Sequence, residues 1–379
     1  MAGDGNSFEV DGNRLTLLIE PDDRLCGLLA LIDGARRSLR LLYYAFADDR
    51  TGHIVRDALI TARNRGVVVS LVIDGFGSDA DEAFLDPLRT AGVEVCRFLP
   101  RYGRRYLLRN HQKLAIADEE RLIIGGFNIQ NAYFASREDN GWRDTGIILE
   151  GEGAGRLVGY FDALAAWTRR PKARMRELRK ALKDWSEPEG KVRWLLGGPA
   201  RRLSPWARAV RRDMRSAKSV SLIAAYFSPS PAMLRRLDRV GQRGEARVIT
   251  AAKSDNTTTI AAARFVYPGL LKKGVRIFEY QPSMLHAKIY IVDDAVHIGS
   301  ANFDMRSLFI NMELMLRIED KAFADRMRAH FESELKDCEE ITLAGLGSWA
   351  SRLAAPRRAL AYFLVSVLDY SVVRRLNIK

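Results

Sequence analysis

The fold of this chain is decided by HAKIYIVDDAVHIGSANFDMRS, residues 286–307, and by a second copy of its pattern, HQKLAIADEERLIIGGFNIQ, residues 111–130. Each copy opens with His-x-Lys, follows an apolar stretch to an aspartate, turns, and returns to a Gly-x-x-Asn end. This pattern is typical of a β-hairpin. One copy would fit a buried hairpin with polar residues at its mouth, but two copies favour a duplicated functional unit.

The repeat extends beyond the two hairpins. ARRSLRLLYYAF (35–46) matches AKSVSLIAAYF (217–227), and AGVEVCRFLP (91–100) matches KGVRIFEYQP (273–282). Strands alternate with helical segments that end at glycine, as helices commonly do. This alternation predicts an α/β fold with two pseudo-symmetric α/β sandwich halves, each around a largely parallel sheet, packed around a shared active site.

The predicted domain organisation has four parts. Residues 1–152 form the first half, 153–190 a basic helical connector, 191–337 the second half, and 338–379 a C-terminal amphipathic segment. The connector carries eight basic residues between positions 169 and 183 against one acid, which suits either a solvated helix face or contact with an anionic surface.

The two halves differ in length just before the first histidine. The offset between them is 181 residues at Phe46 and Phe227 but 175 at His111 and His286. The extra residues fall in PRYGRRYLLRN (100–110), which holds four arginines and two tyrosines. This insert is either a solvated loop or the lining of an entrance for an anionic substrate.

Composition predicts a soluble protein with an anionic partner. The 379 residues are 47% hydrophobic and 28% charged, and the formal net charge is +13. Such a surplus suits nucleic acid or an anionic membrane surface. The three cysteines are too few and too scattered for a disulfide framework or a zinc site, so we expect reduced thiols.

Membrane association is expected to be peripheral, at the cytoplasmic face. The N-terminus lacks a signal-peptide pattern, and no window reaches the ~18 apolar residues of a spanning helix. Residues 359–368 form a ten-residue apolar stretch with arginines on both sides. They suit an amphipathic helix lying among lipid headgroups, with a helix docked on the core as the alternative.

The hairpins bring chemical groups together at one end. Residues i and i+2 of a strand share a face, so His111 projects with Lys113, and His286 with Lys288. The return strands bring back Asn128 in one half and Asn302 in the other. Two such ends facing each other would make one site with two imidazoles, two ammonium groups and two amides.

This inventory suits substitution at a phosphodiester. Lysine and asparagine side chains stabilise the charge that builds up on the non-bridging oxygens, without a metal or another cofactor. One neutral histidine attacks phosphorus and forms a phospho-histidine, while the other, protonated, donates to the leaving alkoxide. Water or a second alcohol then releases the intermediate.

A nucleophilic imidazole needs an acceptor for its remote nitrogen. Glu313 and Asp144, on the strands that follow the second and first hairpins, are the candidates for orienting His286 and His111, respectively. A surface salt bridge is the alternative for each. Asp118 and Asp293 lie at the far ends of their strands, where a mainly structural role at the turn is expected.

The two motifs resemble the HxKxxxxD motif of the phospholipase D superfamily, over both halves of the chain. GWRDT (141–145) and GSANFDMRSLFINMEL (299–314) resemble the corresponding contexts in bacterial cardiolipin synthases. The likeness is to the shorter form without transmembrane helices. The first tail departs from the pattern in having Gly-Gly where the second has Gly-Ser, so a hydroxyl at that phosphate contact is present only at Ser300.

The resemblance implies an enzyme that makes cardiolipin by transferring a phosphatidyl group through a phosphatidyl-histidine, with His111 as nucleophile and His286 as general acid. It implies anionic phospholipid substrates, phosphatidylglycerol or phosphatidylethanolamine, at a membrane surface, with no nucleic acid. Three alternatives stay open: a hydrolytic phospholipase D that releases phosphatidic acid, a nuclease of the same superfamily, and a non-catalytic membrane scaffold. The oligomeric state is not predicted.

Overall fold

The computed structural model describes residues 6–99, 108–170, 172–200, 203–346 and 355–364. The insert at 100–110 is described only at 108–110, and the apolar stretch at 359–368 only at 359–364. The predicted domain boundaries at 152, 190 and 337 stay a prediction.

The first half contains an eight-stranded sheet flanked by helices. Its strands are β1 (Ser7–Val10), β2 (Asn13–Leu18), β3 (Ser38–Tyr43), β4 (Val68–Asp74), β5 (Glu94–Phe98), β6 (Leu114–Ala117), β7 (Arg121–Gly125) and β8 (Gly146–Gly151). Its helices are α1 (Pro21–Asp33), α2 (Arg50–Asn64) and α3 (Glu82–Thr90), followed by α4 (Glu152–Gly155), α5 (Val158–Arg169) and α6 (Met175–Asp184) in the predicted connector.

The second half repeats this arrangement with its own eight-stranded sheet. Its strands are β9 (Val192–Gly197), β10 (Ser219–Ala224), β11 (Phe227–Ser228), β12 (Glu245–Ala251), β13 (Val275–Tyr280), β14 (Lys288–Val292), β15 (Ala295–Gly299), β16 (Phe303–Asp304), β17 (Glu313–Glu319) and β18 (Cys338–Ile341). Its helices are α7 (Pro205–Asp213), α8 (Pro231–Arg243), α9 (Thr257–Leu271), α10 (Met305–Phe309), α11 (Lys321–Leu335), α12 (Leu343–Leu346) and α13 (Ala355–Tyr362).

The strand orders show the internal symmetry. The first sheet runs β1-β2-β8-β7-β6-β3-β4-β5, and the second runs β18-β13-β12-β10-β14-β15-β17-β9. Read from opposite ends, β2-β8-β7-β6-β3-β4-β5 corresponds to β9-β17-β15-β14-β10-β12-β13. The α/β fold in two similar halves is therefore confirmed.

The prediction of largely parallel sheets is wrong. Only β3, β4 and β5 pair in parallel in the first sheet, and β10, β12 and β13 in the second. Helices connect these strands, as parallel neighbours require. The remaining pairings in both eight-stranded sheets are antiparallel. They include the motif strands β6–β7 and β14–β15, which tight turns join into hairpins.

One buried apolar cluster joins the two halves. It contains strand residues of both sheets, such as Leu114 and Ile289, together with Phe161 of α5 and Phe331 of α11. The opposite faces of the sheets are covered by α1–α3 in the first half and α7–α9 in the second. Because the shared core extends across both sheets, the motif ends of the two hairpins are held in a fixed relation.

The last described helix, α13, docks on α9. Tyr362 stacks on Phe265 with ring centroids 5.0 Å apart, and Ala361 is buried. Leu360 on this helix and Phe363 and Leu364 directly after it are exposed. The described part of the apolar stretch thus docks on the protein, which is one of the two alternatives drawn from the sequence, and contact with lipid headgroups stays a prediction. Within the described ranges, no helix is both long and apolar enough to span a bilayer.

Candidate active site

The two motif histidines lie where the halves are joined by main-chain hydrogen bonds. The N–H of His111 donates to the carbonyl of Met312 at 2.9 Å, and the N–H of His286 donates to that of Arg143 at 2.7 Å. Met312 and Arg143 directly precede the two candidate carboxylates. Each histidine segment is therefore bonded to the segment that carries the other half's carboxylate.

The carboxylates pair with the histidines in the opposite sense to the prediction. Glu313 Oε2 lies 3.1 Å from Nδ1 of His111, and Asp144 Oδ2 lies 2.7 Å from Nδ1 of His286. The assignment of each carboxylate to the histidine of its own hairpin was wrong. The cross-half bonds next to each carboxylate direct it away from its own hairpin and towards the other.

Burial and pairing determine the protonation of these groups. Burial lowers the pKa of both His111 and His286, the latter to about 3, and the neighbouring lysines add to the effect. Burial also opposes ionisation of Asp144 and Glu313. Their histidine partners and the lysines outweigh it, so the pKa of both carboxyls lies below its ordinary value.

Each neutral imidazole consequently has a defined tautomer. An ionised carboxylate only accepts hydrogen bonds, so Nδ1 of His111 donates to Glu313 and Nδ1 of His286 donates to Asp144. Lys288 Nζ also lies 2.7 Å from Nδ1 of His286, where its charge favours the neutral imidazole. Nε2 of each ring is left with a lone pair. In His286 this atom lies 3.4 Å from the hydroxyl of Tyr133.

The motif lysines are buried against the histidine backbones. Lys113 Nζ donates to the carbonyl of His111 at 2.7 Å, and Lys288 Nζ donates to that of His286. Burial lowers the pKa of Lys288 to about 8 and that of Lys113 well below its ordinary value. Lys288 also lowers the pKa of His111, and Lys113 that of His286, so charges of both halves act within one site.

The two asparagines differ in their surroundings. Asn128 donates to the hydroxyl of Tyr133 at 2.9 Å and accepts from the N–H of Ala45 at 3.1 Å. Asn302 is equally buried, but its Oδ1 has no hydrogen-bond partner among the residues that the structure describes. The second amide therefore retains bonding capacity that a ligand would satisfy.

Ser300 does not offer its hydroxyl to the site, contrary to the sequence prediction of a phosphate contact. Its Oγ donates to Glu313 Oε2 at 2.5 Å and accepts from the N–H of Leu314 at 3.0 Å. Ser307 donates to the other oxygen of Glu313 at 2.8 Å. Ser300 thus holds the carboxylate that orients His111.

Asp118 and Asp293 lie at the turns, away from the histidines. The carboxylate of Asp118 accepts from the N–H groups of Arg37 and Ser38, at 2.7 and 2.9 Å. Asp293 likewise accepts from Ser219 at 2.9 Å. Each aspartate therefore anchors the start of the neighbouring strand, which agrees with the structural role expected for it and not with contact to a substrate.

Sequence reasoning missed the aromatic surroundings of the histidines. Tyr133 and Trp142 lie against His286, with ring centroids at 5.0 and 5.5 Å, and Tyr44 lies 5.0 Å from His111. Trp142 was available as a signal, because it directly precedes Arg143 and Asp144 in the GWRDT segment. Tyr133 carried no comparable signal, because its contact with His286 depends on a short 3-10 turn that the sequence pattern did not indicate.

The site as a whole is suited to an anionic phosphodiester. A bound diester adds negative charge to the site, which favours protonation of a neighbouring imidazole. Nε2 of His286 is a basic atom that can take up this proton. The arrangement thus offers one nucleophilic imidazole, one imidazole that protonates with the substrate, and buried donors for the phosphate oxygens.

Comparisons with known proteins agree with this arrangement. A family model described as cardiolipin synthase, PLD-like domain, matches residues 28–162 and 210–335. Cardiolipin synthase 1 of Bacillus cereus is 30% identical over 354 residues, which cover 89% of this chain and 69% of the relative. Cardiolipin synthase A of Pseudomonas entomophila is 30% identical over 364 residues, covering 91% of this chain and 75% of the relative.

Solved structures show the same fold. The phosphatidylserine synthase of Haemophilus influenzae superposes with a TM-score of 0.73 at 13% identity and covers 95% of this chain and 94% of its own. The polyphosphate kinase of Porphyromonas gingivalis gives a TM-score of 0.57 at 14% identity, over 92% of this chain and 55% of its own.

The duplicated sandwich and its paired histidine motifs define an enzyme of the phospholipase D superfamily. Within that superfamily, the chain belongs to the family of cardiolipin synthases with PLD-like domains.

Proposed function

We propose that the protein is a phosphatidyltransferase that forms cardiolipin from phosphatidylglycerol through a phosphatidyl-histidine intermediate. The family membership supports the broader activity, phosphatidyl transfer between phospholipid substrates. The observation that carries the mechanism is the crossed pairing, in which each histidine donates Nδ1–H to a buried carboxylate from the other half.

In the first step, Nε2 of His111 attacks the phosphorus of the donor lipid. A P–N bond forms, and the bond from phosphorus to the glycerol oxygen breaks. Glu313 accepts the Nδ1 proton of His111 in a hydrogen bond and stabilises the positive charge that develops on the ring. We assign His111 to this role because the family resemblance places the nucleophile in the first motif.

His286 supplies the proton for the leaving glycerol oxygen. Its pKa is too low for it to carry this proton in the empty site, but the negative charge of the bound diester raises it. Asp144 stabilises the resulting imidazolium. His286 then takes a proton from the alcohol of a second phosphatidylglycerol, which attacks phosphorus and releases His111.

The motif lysines stabilise the phosphate oxygens. Lys113 and Lys288 each direct one proton to a histidine carbonyl, Lys288 Nζ also lies 2.7 Å from Nδ1 of His286, and the remaining protons serve the substrate. The unpaired Oδ1 of Asn302 accepts from a donor such as a substrate hydroxyl or an ordered water. Asn128 acts indirectly, because it donates to Tyr133, whose hydroxyl faces His286.

The enzyme works on lipids at a membrane surface, to which it binds peripherally at the cytoplasmic face. The net charge of +13 favours an anionic surface. The exposed side chains of Leu360 on α13 and of Phe363 and Leu364 directly after it, together with Phe265 of α9, supply an apolar contact.

Product analysis tests the proposal. The purified protein is incubated with vesicles of labelled phosphatidylglycerol, and the lipids are separated and identified by mass spectrometry. Cardiolipin and free glycerol in equal amounts are expected, and both should disappear in a His111→Asn variant. Phosphatidic acid as the sole product would replace transfer with hydrolysis. Cleavage of plasmid DNA without turnover of lipid would favour the nuclease.

A further inference from the structure

Arg24 of α1 carries a fully buried guanidinium group. Its hydrogen bonds within the described residues all go to backbone carbonyls: Tyr133 at 2.8 and 3.0 Å, Asp144 at 2.6 Å, Ile19 at 2.7 Å and Trp142 at 3.4 Å. No carboxylate in that part of the chain bonds to it. Burial lowers the pKa of Arg24 to about 10, so the group stays charged near neutral pH.

Three of these four carbonyls belong to the residues that surround His286. Asp144 accepts from its Nδ1 at 2.7 Å, and the rings of Tyr133 and Trp142 lie 5.0 and 5.5 Å from the imidazole. One rigid, planar group thus fixes the backbone of all three neighbours at once. The fork of guanidinium donors suits this task, which a lysine ammonium would perform with fewer and less directed bonds.

A buried charge without a carboxylate partner is costly to fold. Stability alone gives little reason for it, since apolar side chains fill such positions at lower cost. The buried charge instead fixes the position of the loop between β7 and β8. The regular structure in this loop is one short 3-10 turn, Asn131–Tyr133, so the loop needs bonds from outside to hold its shape.

The second half holds its carboxylate differently. Glu313 is fixed by the hydroxyl groups of Ser300 and Ser307. On the corresponding helix α7, the arginine three residues after the first proline, Arg208, is exposed. Among the described residues, the loop that carries Asp144 is thus held by a buried cation, whereas Glu313 is held by hydroxyl groups.

We propose that Arg24 is a positioning residue for the general acid: by binding the carbonyls of Tyr133, Trp142 and Asp144, it holds the Asp144 carboxylate on Nδ1 of His286. Arg24 touches no substrate. The inference depends on the proposed function, since it assumes that His286 carries a proton during turnover.

The test compares Arg24→Lys and Arg24→Gln with the control Arg208→Lys, using a soluble phosphodiester with an alkyl leaving group. We expect Arg24→Lys to lower kcat by roughly 10- to 100-fold, as loss of support to an orienting group commonly does, with KM little changed. The hydrogen bond to Asp144 raises the pKa of His286, so its loosening should shift the alkaline limb of the kcat profile to lower pH. Arg208→Lys should match the wild type.

A double-mutant cycle gives the second readout. If Arg24 acts through Asp144, then Arg24→Lys should cost little in an Asp144→Asn background. Additive losses, an unshifted pH profile, or a loss confined to KM would overturn the proposal. So would loss of cooperative melting in both Arg24 variants, which would assign the residue to folding. Absence of turnover by the wild type would instead count against the proposed function.

Discussion

Asp144 and Glu313 determine which nitrogen of each imidazole is available for chemistry. Both carboxylates are fully buried and ionised, so each histidine must present Nδ1–H to its partner and Nε2 to the site. Because the pairs cross between halves, neither half contains a complete histidine–carboxylate unit. The catalytic roles of the two histidines therefore depend on correct packing of both halves.

The crossed pairing predicts different leaving-group effects for the two carboxylates. Asp144→Asn should lower kcat by about 10²- to 10⁴-fold for an alkyl leaving group, because Asp144 serves the acid. A nitrophenyl leaving group needs no proton in the first step, so the rate of the initial nitrophenol burst should recover much of this loss in Asp144→Asn. Glu313→Gln should slow the first step with both substrates, since Glu313 serves the nucleophile. Asp139→Asn, exposed and five residues before Asp144, is the control. The reverse pattern in rapid-quench assays of the first step would contradict the crossed roles.

Proton uptake on substrate binding is the second expectation at this scale. In the empty site the pKa of His286 is about 3, so the ring is neutral at pH 7, whereas a bound anion raises it. An anionic diester that is not turned over should bind more weakly as the pH rises from the pKa of His286 in the empty site towards its pKa in the complex, by about tenfold per unit, and the affinity should level off above the pKa of the complex.

Calorimetry in buffers of different ionisation enthalpy measures this uptake directly. Near pH 7 the wild type should take up close to one proton per bound diester, and a His286→Asn variant none. Uptake that persists in the variant would place the proton on another group.

The histidines, lysines and asparagines were predictable from the sequence, because a repeated motif with fixed spacing reports local geometry. The carboxylate partners were found as residues but paired wrongly. Which carboxylate bonds to which histidine depends on how two segments that are distant in sequence cross in space. Closeness in sequence alone suggests the histidine of the same hairpin, and this was the wrong partner. Arg24 and Tyr133 had no signal of this kind, since their contacts run through backbone carbonyls and a short 3-10 turn.

At the scale of elements, the two returning strands show how small residues adjust the site. β7 ends next to Gly126, and β15 ends next to Ser300, its counterpart. A Cβ atom on Gly126 would lie 2.4 Å from Oδ1 of Asp144, so the shorter aspartate side chain leaves no room for a larger residue there. The longer Glu313 instead reaches past Ser300 and accepts its hydroxyl.

Gly126→Ala should therefore displace Asp144 and lower activity, even though the counterpart of Gly126 in the other half, Ser300, carries a side chain. Displacement of a reacting group by about 1 Å costs on the order of 10²-fold in rate. Gly269→Ala in α9, where an added Cβ meets nothing within 4 Å, is the matched control. Both variants are compared by kcat and by thermal melting. Wild-type turnover by Gly126→Ala would show that Asp144 need not lie where it does.

The elements themselves were partly predictable. Alternating apolar residues indicated the motif hairpins, and terminal glycines indicated the ends of helices. The sheets were expected to be largely parallel because strands and helices alternate. That inference overlooked the consequence of the hairpins, which make β6, β7, β14 and β15 antiparallel to their neighbours.

At the scale of the whole molecule, α9, α13 and the two residues after α13 carry an exposed apolar face of the second half. Its side chains are Phe265, Leu360, Phe363 and Leu364. Burying one such side chain is worth about 1.5–3 kcal/mol, or at least roughly tenfold in partitioning. Leu360→Ser and Phe363→Ser should each weaken binding to anionic vesicles by about that factor, while leaving turnover of a soluble diester unchanged.

Vesicle co-sedimentation across a range of salt concentrations measures this binding. Ile54→Ser on α2, which removes a partly exposed apolar side chain elsewhere, should bind vesicles like the wild type. Binding should also weaken as salt screens the charge of the protein, since the Debye length is about 8 Å at physiological ionic strength. Equal vesicle binding by all variants would show that this face does not contact lipid.

The covalent intermediate tests the central claim most directly, because it requires His111 and His286 to act on one phosphorus from opposite halves. In a His286→Asn variant, a diester with a nitrophenyl leaving group should still react with His111, but no base remains to activate the second alcohol. Tandem mass spectrometry of the quenched variant should find the phosphoryl adduct on the peptide that contains His111, and a His111→Asn variant should carry none. An adduct on His286, or none in either variant under turnover conditions, would contradict the account.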